Sequence, residues 1–326
     1  MREESNRLSA VDHCRGMIIL GMVIFNYVGS YKLAPPPMRH AGDVGLTIAD
    51  VGAPLFLFIM GMMYRVSFVS RWKRDGVSKA TLHMARRYTI LLMIGLVPSV
   101  ILRLIFRHRL EVGWGVIQTL GMAGLLALPT MRLKTIHRLV IGVALLVLYQ
   151  LLLEYGYGFR TLVRFESHGG PVGSISWAGI VIVSSVLGDY LRGRTPVQIL
   201  KTVALFAVSL IAAGLFMWHV LGWPVSKHQV SGSYSILTTG ISAACFFMMV
   251  RVTDIRKWRW PFVAMLGRNP LVIFLLQLVL LIPLYFLVGL RSTSPIGWRY
   301  VGLAYVLAGT YLIGWWLERK KLYIKL

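Results

Sequence analysis

His40 is the residue whose type and position are best suited to acid–base chemistry. It stands at the start of the segment His40 to Asp50, directly before a long apolar stretch, and Asp50 follows it ten residues later. An imidazole changes its charge near neutral pH, so it can accept or carry a proton there. The pair therefore predicts a reactive centre in which Asp50 orients His40 or stabilises its charge.

The elements that must position this histidine are membrane spans. Hydrophobic residues make up 56% of the 326 residues, charged residues only 14%, and the mean hydropathy is +0.68. A span requires roughly 20 helical residues, and ten apolar stretches approach that length. They cover 14–31, 46–69, 88–106, 114–130, 137–154, 174–191, 200–222, 234–252, 269–289 and 300–317. We expect an all-α polytopic membrane protein, a bundle of about ten transmembrane helices forming a single domain over 1–326.

The net charge of +23 is explained by membrane topology. The Lys and Arg residues are dispersed among the joints between spans, and twenty-five of the thirty-five lie on the side that holds the N-terminus. The positive-inside rule then places both termini in the cytoplasm. A nucleic acid partner is not expected, because no separate basic domain collects the charge, and the lipid bilayer is the expected surrounding.

Motifs for several other chemistries are absent from the sequence. Cys14 and Cys245 both fall in predicted spans, and no Cys/His spacing suits a metal. No Gly-rich phosphate loop and no serine nucleophile elbow is present. We therefore expect no metal and no redox cofactor.

Polar residues inside predicted spans are the other informative positions, because such groups are costly in hydrocarbon and usually face a cavity or one another. Under the predicted topology they form two layers. The outer layer contains Asn26, His40, Asp50 and Lys227, and the cytoplasmic layer contains Asp12, Arg15, Arg268 and Asn269. An outer histidine suits chemistry on an external substrate, and arginines inside suit an anionic donor. Intramembrane charges also mark transport pathways, so a secondary transporter or flippase for a sugar or anionic solute is the alternative.

A set of motifs follows a fixed order along nearly the whole chain. The most specific block is His40-Ala41 with Gly45 to Asp50 and then Pro54 to Gly61. The other segments are Arg7 to Gly16, Phe25-Asn26-Tyr27, Gly115 to Gln118, Pro224 to Lys227 leading to Ser231, Ser233 and Tyr234, and Gly267 to Leu271. In this order the motifs resemble the heparan-alpha-glucosaminide N-acetyltransferase-like family of transmembrane acyltransferases.

The resemblance implies an acyltransferase that moves an acetyl group from cytosolic acetyl-CoA to an amino or hydroxyl group of a sugar or glycan on the far side. His40 matches the family's catalytic histidine and Asn26 its neighbouring asparagine. His40 would act as a general base or as a transient acyl carrier. Asn26 could stabilise the developing oxyanion, and Asp50 completes the expected catalytic set.

Donor and acceptor contacts are assigned to further polar positions. We expect Arg15, Gln118, Arg268 and Asn269 to contact acetyl-CoA, and Lys227 and Ser233 to contact the acceptor. Two of these positions have structural alternatives. Arg15 lies one helical turn from Asp12 and suits an ion pair, and Lys227 suits an interfacial lysine that reaches toward headgroups.

Two departures from the family pattern leave the acceptor open. Gly42-Asp43-Val44-Gly45 stands where Trp-Asn-Gly commonly follows the histidine, and Thr119 stands where Arg commonly follows the glutamine. The ten-span form suggests a bacterial-type relative in the inner (cytoplasmic) membrane. The oligomeric state is open, with a homodimer among the arrangements allowed.

Overall fold

The computed structural model describes residues 8–28, 35–105, 113–164, 167–286 and 296–323. The chain divides into two compact units. Unit 1 consists of residues 1–41, 47–52 and 245–325, and unit 2 of residues 42–46 and 53–244. That residues 1–326 function as a single domain stays a prediction.

The described residues form α-helices and short 3₁₀ or π turns, without a strand, which confirms the all-α class. The helices are α1 (Ser9–Val28), α2 (Gly52–Asp75), α3 (Val77–Ile105), α4 (Val116–Ala127), α5 (Thr135–Tyr155), α6 (Phe159–Arg164), α7 (Gly170–Tyr190), α8 (Pro196–His219), α9 (Gly232–Met249), α10 (Pro261–Arg268), α11 (Pro270–Phe286) and α12 (Ile296–Arg319).

Eight of the ten predicted spans coincide with helices that are long and apolar enough to cross a membrane, within the ranges described. The predicted fourth span differs, because α4 has 12 residues and continues only as a 3₁₀ turn, Leu128–Arg132. Pro129 lies in that turn, and a proline has no N–H with which to extend an α-helix. The multi-pass class is thus confirmed, and the described residues contain eight candidate spans rather than ten, or nine if the bent pair described next counts as one.

The predicted ninth span is part of a bent pair. α10 and α11 meet at 92°, and the residue between them, Asn269, has φ −126° and ψ 50°. Asn269 precedes Pro270, whose ring disfavours the helical conformation in the residue before it. The sequence therefore ends α10 at Arg268 and starts a new helix at Pro270.

Unit 1 is organised around α1, which packs most extensively on α10 and also contacts α11 and α12. Glycines permit the closest approach. A Cβ atom on Gly16 would overlap the carbonyl of Val263, and one on Gly267 would overlap the carbonyl of Asp12. Such small residues let helix backbones pack tightly where lipid supplies no hydrophobic driving force.

In unit 2, α7 is the central helix. It is buried over most of its length and packs on α4 and α5. Its small residues include Gly179, which packs on Leu146 of α5, and Ser184 and Ser185, whose hydroxyls donate to backbone oxygens of α7. Satisfying each hydroxyl within the helix lets polar residues occupy an interior position.

Candidate active site

The structure brings His40 and Asp50 together in unit 1. His40 Nδ1 lies 2.8 Å from Asp50 Oδ1. The other carboxylate oxygen, Oδ2, accepts hydrogen bonds from Ala41 N (3.0 Å), Thr47 N (3.0 Å) and the Thr47 hydroxyl (2.8 Å). Asp50 is fully buried, yet both of its oxygens have partners, as a buried carboxylate requires. We call this pair the His40–Asp50 dyad.

The local sequence explains how this arrangement forms. Ile48–Asp50 is a 3₁₀ turn with Thr47 as its N-cap, and Asp50 accepts from the Thr47 N–H in the manner of a capping box. The single hydrogen of the Thr47 hydroxyl is shared between Asp50 Oδ2 and Arg39 O, which lies 2.7 Å from Oγ1. Thr47 thus connects the turn to the residue that precedes His40, so Asp50 is fixed before α2 begins at Gly52.

The dyad determines which nitrogen of His40 can act as a base. Asp50 is surrounded by donors, so the Nδ1 of a neutral His40 carries the hydrogen, and the lone pair resides on Nε2. The His40 side chain is 52% exposed, whereas that of Asp50 is 0% exposed. A buried carboxylate therefore orients an imidazole whose side chain is half exposed.

Asn26 lies in the last turn of α1 and is partly buried. α1 packs against the 3₁₀ turn that carries Asp50, and a Cβ atom on Gly52 would stand 3.8 Å from Met22 Cε. Met22 and Asn26 are four residues apart and share a helix face. The face of α1 that bears Asn26 is thus the one that meets the start of α2.

Three expected donor contacts also lie in unit 1. Arg15 is 3.9 Å from Asp12, the ion pair that their spacing suggested. Arg268 pairs with Glu318 of α12, and Asn269 is buried with its Nδ2 donating to Leu322 O at 2.9 Å. The last two residues lie at the break between α10 and α11. Their role toward acetyl-CoA stays a prediction.

Gln118, the fourth expected donor contact, has structural partners in unit 2. It is buried, and its Nε2 donates to Gly95 O (2.9 Å) and Ser99 Oγ (2.8 Å) of α3. Its Oε1 accepts from Gly115 N at 3.1 Å. These bonds use both amide hydrogens, so the described role of Gln118 is to join α4 to α3.

The expected acceptor contacts lie in the segment before α9, also in unit 2. Lys227 is partly buried, and its carbonyl accepts from Val230 N. Ser233 is buried, donates to Pro224 O at 2.8 Å, and lies 3.0 Å from the Ser231 hydroxyl. Ser233 therefore holds the segment that carries Lys227, and acceptor binding by either residue stays a prediction.

Sequence reasoning missed two residues that build these regions. Thr47 was not singled out, although Thr followed three residues later by Asp is a helix-start signature. Gln150 was also overlooked, although it is a polar residue in an apolar span. Its Oε1 accepts from Gly232 N at 2.8 Å and so caps the first turn of α9. Both could have been found from the rules that identified Asp50 and Gln118.

The described residues contain no group of three or more His, Cys, Asp or Glu side chains that could hold a metal ion. A reaction without a metal stays a prediction. The fold and the dyad define a multi-pass membrane protein that presents an oriented, accessible histidine at the start of a span.

Comparison with known proteins identifies the family. The sequence model described as heparan-alpha-glucosaminide N-acetyltransferase, catalytic, matches residues 7–181. The chain belongs to this family, which confirms the resemblance seen in its motifs. The matched region includes Asn26, His40, Asp50 and Gln118; the break at Arg268 and Asn269 lies beyond it.

Two curated relatives carry the name heparan-alpha-glucosaminide N-acetyltransferase. The Mus musculus protein is 34% identical over 126 residues, which is 37% of this chain and 18% of that relative. The Homo sapiens protein is 36% identical over 121 residues, which is 36% of this chain and 18% of that relative. The matched stretch thus spans less than a fifth of each relative.

Proposed function

We propose that this protein is a membrane-bound acyltransferase that moves an acetyl group from acetyl-CoA to the amino group of a sugar. The observation that carries the proposal is the His40–Asp50 dyad. A buried carboxylate, held by three donors, fixes the hydrogen of an accessible imidazole on Nδ1 and leaves Nε2 as the base. The choice of an acetyl group and of an amino sugar as acceptor rests on the names of the relatives.

In the proposed reaction the substrate amine attacks the thioester carbonyl. A C–N bond forms, the C–S bond breaks, and CoA leaves as a thiol. His40 Nε2 accepts the proton that the amine loses and returns it to the departing sulfur, so the protein ends unchanged. General base catalysis of this kind contributes about 10²- to 10⁴-fold to the rate. Asn26, on the face of α1 that meets this region, would donate to the carbonyl oxygen as negative charge develops there.

His40 could instead carry the acetyl group. Nε2 would then attack the thioester, release CoA, and pass the acetyl group to the amine in a second step. The carrier route releases CoA before the acceptor binds. A single-turnover measurement of CoA release without acceptor separates the two routes.

Sidedness is part of the proposal. The excess of basic residues on the N-terminal side supports a cytoplasmic N-terminus, which puts Arg15, Arg268 and Asn269 toward cytosolic acetyl-CoA and His40 toward the outer acceptor. A location in a bacterial inner membrane and an acceptor that is a free sugar or a glycan belong to the same proposal.

The test is release of CoA thiol from acetyl-CoA by the purified, detergent-solubilised protein. Glucosamine should stimulate release, and N-acetylglucosamine, whose amine is blocked, should not. His40→Ala should abolish the stimulated release. His137→Ala, which removes an exposed histidine of α5, should leave it intact. Full activity in His40→Ala, or equal loss in both variants, would overturn the role of His40.

One observation favours the alternative of a transporter. The 92° break between α10 and α11 resembles the discontinuous helices that form transporter binding sites. A transporter would move an unmodified sugar into sealed proteoliposomes without acetyl-CoA. Uptake of labelled glucosamine without any change in its mass would support this alternative over the acyltransferase.

A further inference from the structure

The segment between α9 and α10 carries an unusual concentration of exposed cations. A π-helical turn, Val250–Ile255, extends α9, and residues 255–261 are all exposed. Arg251, Arg256, Lys257 and Arg259 supply four positive charges within nine residues. Among the residues that the structure describes, none of these four cations forms an ion pair with a carboxylate. We call residues 251–260 the basic turn.

The acidic residue of this segment is occupied elsewhere. Asp254 is buried, and its two oxygens accept from the first N–H groups of α1, Ser9 N and Ala10 N, each at 2.8 Å. Its Oδ2 also accepts from the Thr253 hydroxyl at 2.9 Å. Asp254 thus satisfies the N-terminus of α1, and the surface of the basic turn is left with positive charge alone.

The backbone of the basic turn is held in place. Arg256 N donates to Arg251 O and Trp258 N to Val252 O, both at 3.0 Å. Trp260 N donates to Nε2 of the buried His13 at 3.1 Å. Lys257 is held at φ 59°, a left-handed conformation that favours glycine. The loop that carries the four cations is therefore ordered by backbone hydrogen bonds. It keeps Lys257 in a backbone conformation that lysine rarely adopts.

Two exposed tryptophans accompany the cations. Trp258 is 65% exposed and Trp260 39% exposed, and their rings lie 6.3 Å apart. The candidate span Gly232–Ile255 ends where the exposed residues begin, and the bent pair starts at Pro261. A loop at this position lies at the level of the lipid headgroups, where tryptophan is enriched and basic residues are attracted to anionic lipid.

We infer that the basic turn is a binding surface for anionic phospholipid headgroups. The four cations can bind the phosphates, and the two tryptophans suit the boundary between headgroup and acyl chain. Two other arginines of unit 1 differ, since Arg268 is paired with Glu318 and Arg319 lies over the Trp315 ring. The position at the end of a span favours a lipid over a soluble phosphate.

The test compares two triple variants that remove the same charge. Arg256→Gln, Lys257→Gly and Arg259→Gln remove three cations of the basic turn, and glycine accepts the left-handed conformation at position 257 without strain. Lys73→Gln, Lys79→Gln and Arg86→Gln remove three exposed cations of α2 and α3 and form the matched control. Retention of phosphatidylglycerol and of phosphatidylcholine is measured by native mass spectrometry of the full-length protein.

We expect the unaltered protein to retain phosphatidylglycerol in preference to phosphatidylcholine. The basic-turn variant should bind phosphatidylglycerol about 100-fold more weakly, because each basic residue near an anionic surface contributes about fivefold. The control variant should keep most of this affinity. An equal loss in both variants would show general electrostatic attraction, and an absence of any lipid preference would also overturn the inference.

A separate measurement distinguishes lipid from acetyl-CoA, which also carries phosphates. CoA binding to both variants is measured in neutral-lipid nanodiscs. Unchanged CoA binding in the basic-turn variant supports the lipid surface. Loss of CoA binding with phosphatidylglycerol retention unchanged would assign the basic turn to the donor and contradict the inference. A failure of acetyl transfer itself would leave the lipid result standing, since lipid binding does not depend on the proposed reaction.

Discussion

Unit 1 and unit 2 each contain an aspartate with several hydrogen-bond donors, and the two are built for different purposes. In unit 1, Asp50 accepts hydrogen bonds from residues within ten positions of it, and one of these partners is the half-exposed His40. In unit 2, Asp189 takes its partners from 51 to 124 residues away. They are Arg65 of α2 and Thr135 and Arg138 of α5.

The difference lies in the partner of each carboxylate. Arg138 is fully buried, and its guanidinium also donates to the Ser185 carbonyl and hydroxyl. An arginine stays charged at every working pH, so it can fix the helices around Asp189 but cannot exchange protons. His40 can exchange a proton. A carboxylate in a membrane helix bundle thus indicates a reactive site when its partner is titratable and accessible, and an internal clamp when its partners are buried arginines.

The largest predicted effect is on the rate, at Asp50. In Asp50→Asn the amide oxygen can still accept from Ala41 N and Thr47 N, while the NH₂ group donates to His40 Nδ1. The hydrogen of His40 then moves to Nε2, and the base is lost. We expect activity to fall by about 10²- to 10⁴-fold, with the apparent melting temperature close to the original value. Acceptor-dependent CoA release and thermal unfolding of the same preparation check both parts.

The next effect is on stability, at Asp189. Asp189→Asn leaves Arg65 and the buried Arg138 without a compensating charge, which costs about 3–5 kcal/mol. Thermal unfolding in detergent should show a large decrease, while activity per folded molecule is retained. If Asp189→Asn instead kept its stability and lost its turnover, the distinction between the two carboxylates would be wrong.

A third prediction tests what holds unit 1 together, since the His40–Asp50 dyad is not a clamp. Gly16→Ala places a methyl group against the Val263 carbonyl, where helix α1 crosses α10. We expect a loss of about 1–3 kcal/mol. Gly21→Ala is the matched control in the same helix, because its added Cβ would stand 3.6 Å from Phe25. Unfolding curves that show equal destabilisation would contradict the close packing at Gly16.

The smallest predicted effect concerns the support of Asp50. Thr47→Ala removes the hydroxyl that donates to Asp50 Oδ2 and keeps the Thr47 N–H bond. The one hydrogen of this hydroxyl is shared with Arg39 O, so its bond to the carboxylate contributes about 1.5 kcal/mol, the lower end for a hydrogen bond to a charged group. We therefore expect a rate loss of about tenfold, smaller than that of Asp50→Asn. Thr47→Ser keeps the hydroxyl and should retain most activity. Steady-state kinetics of the two variants provide the comparison, and equal rates would exclude a role for the hydroxyl.

The sequence predicted the class, most spans and the His40–Asp50 pair because each depends on local information. The length of an apolar stretch predicts a span. His40 and Asp50 are only ten residues apart, so contact between them can be expected from the sequence. The boundary at Asn269 was also predicted, since the ninth predicted span begins there, but α10 was not, because its eight residues are too few to be recognised as a span. The partners of Asp189 and Gln150 could not be predicted, because these bonds join distant parts of the chain and depend on how the helices pack.

A double-mutant cycle determines whether Asp50 acts through His40. The values of kcat/KM are measured with radiolabelled acetyl-CoA for the unaltered protein, His40→Ala, Asp50→Asn and the double variant. If Asp50 serves only to orient His40, the double variant will be no slower than His40→Ala. Losses that multiply, with the double variant slower by the product of the two single effects, would show that Asp50 acts independently of His40.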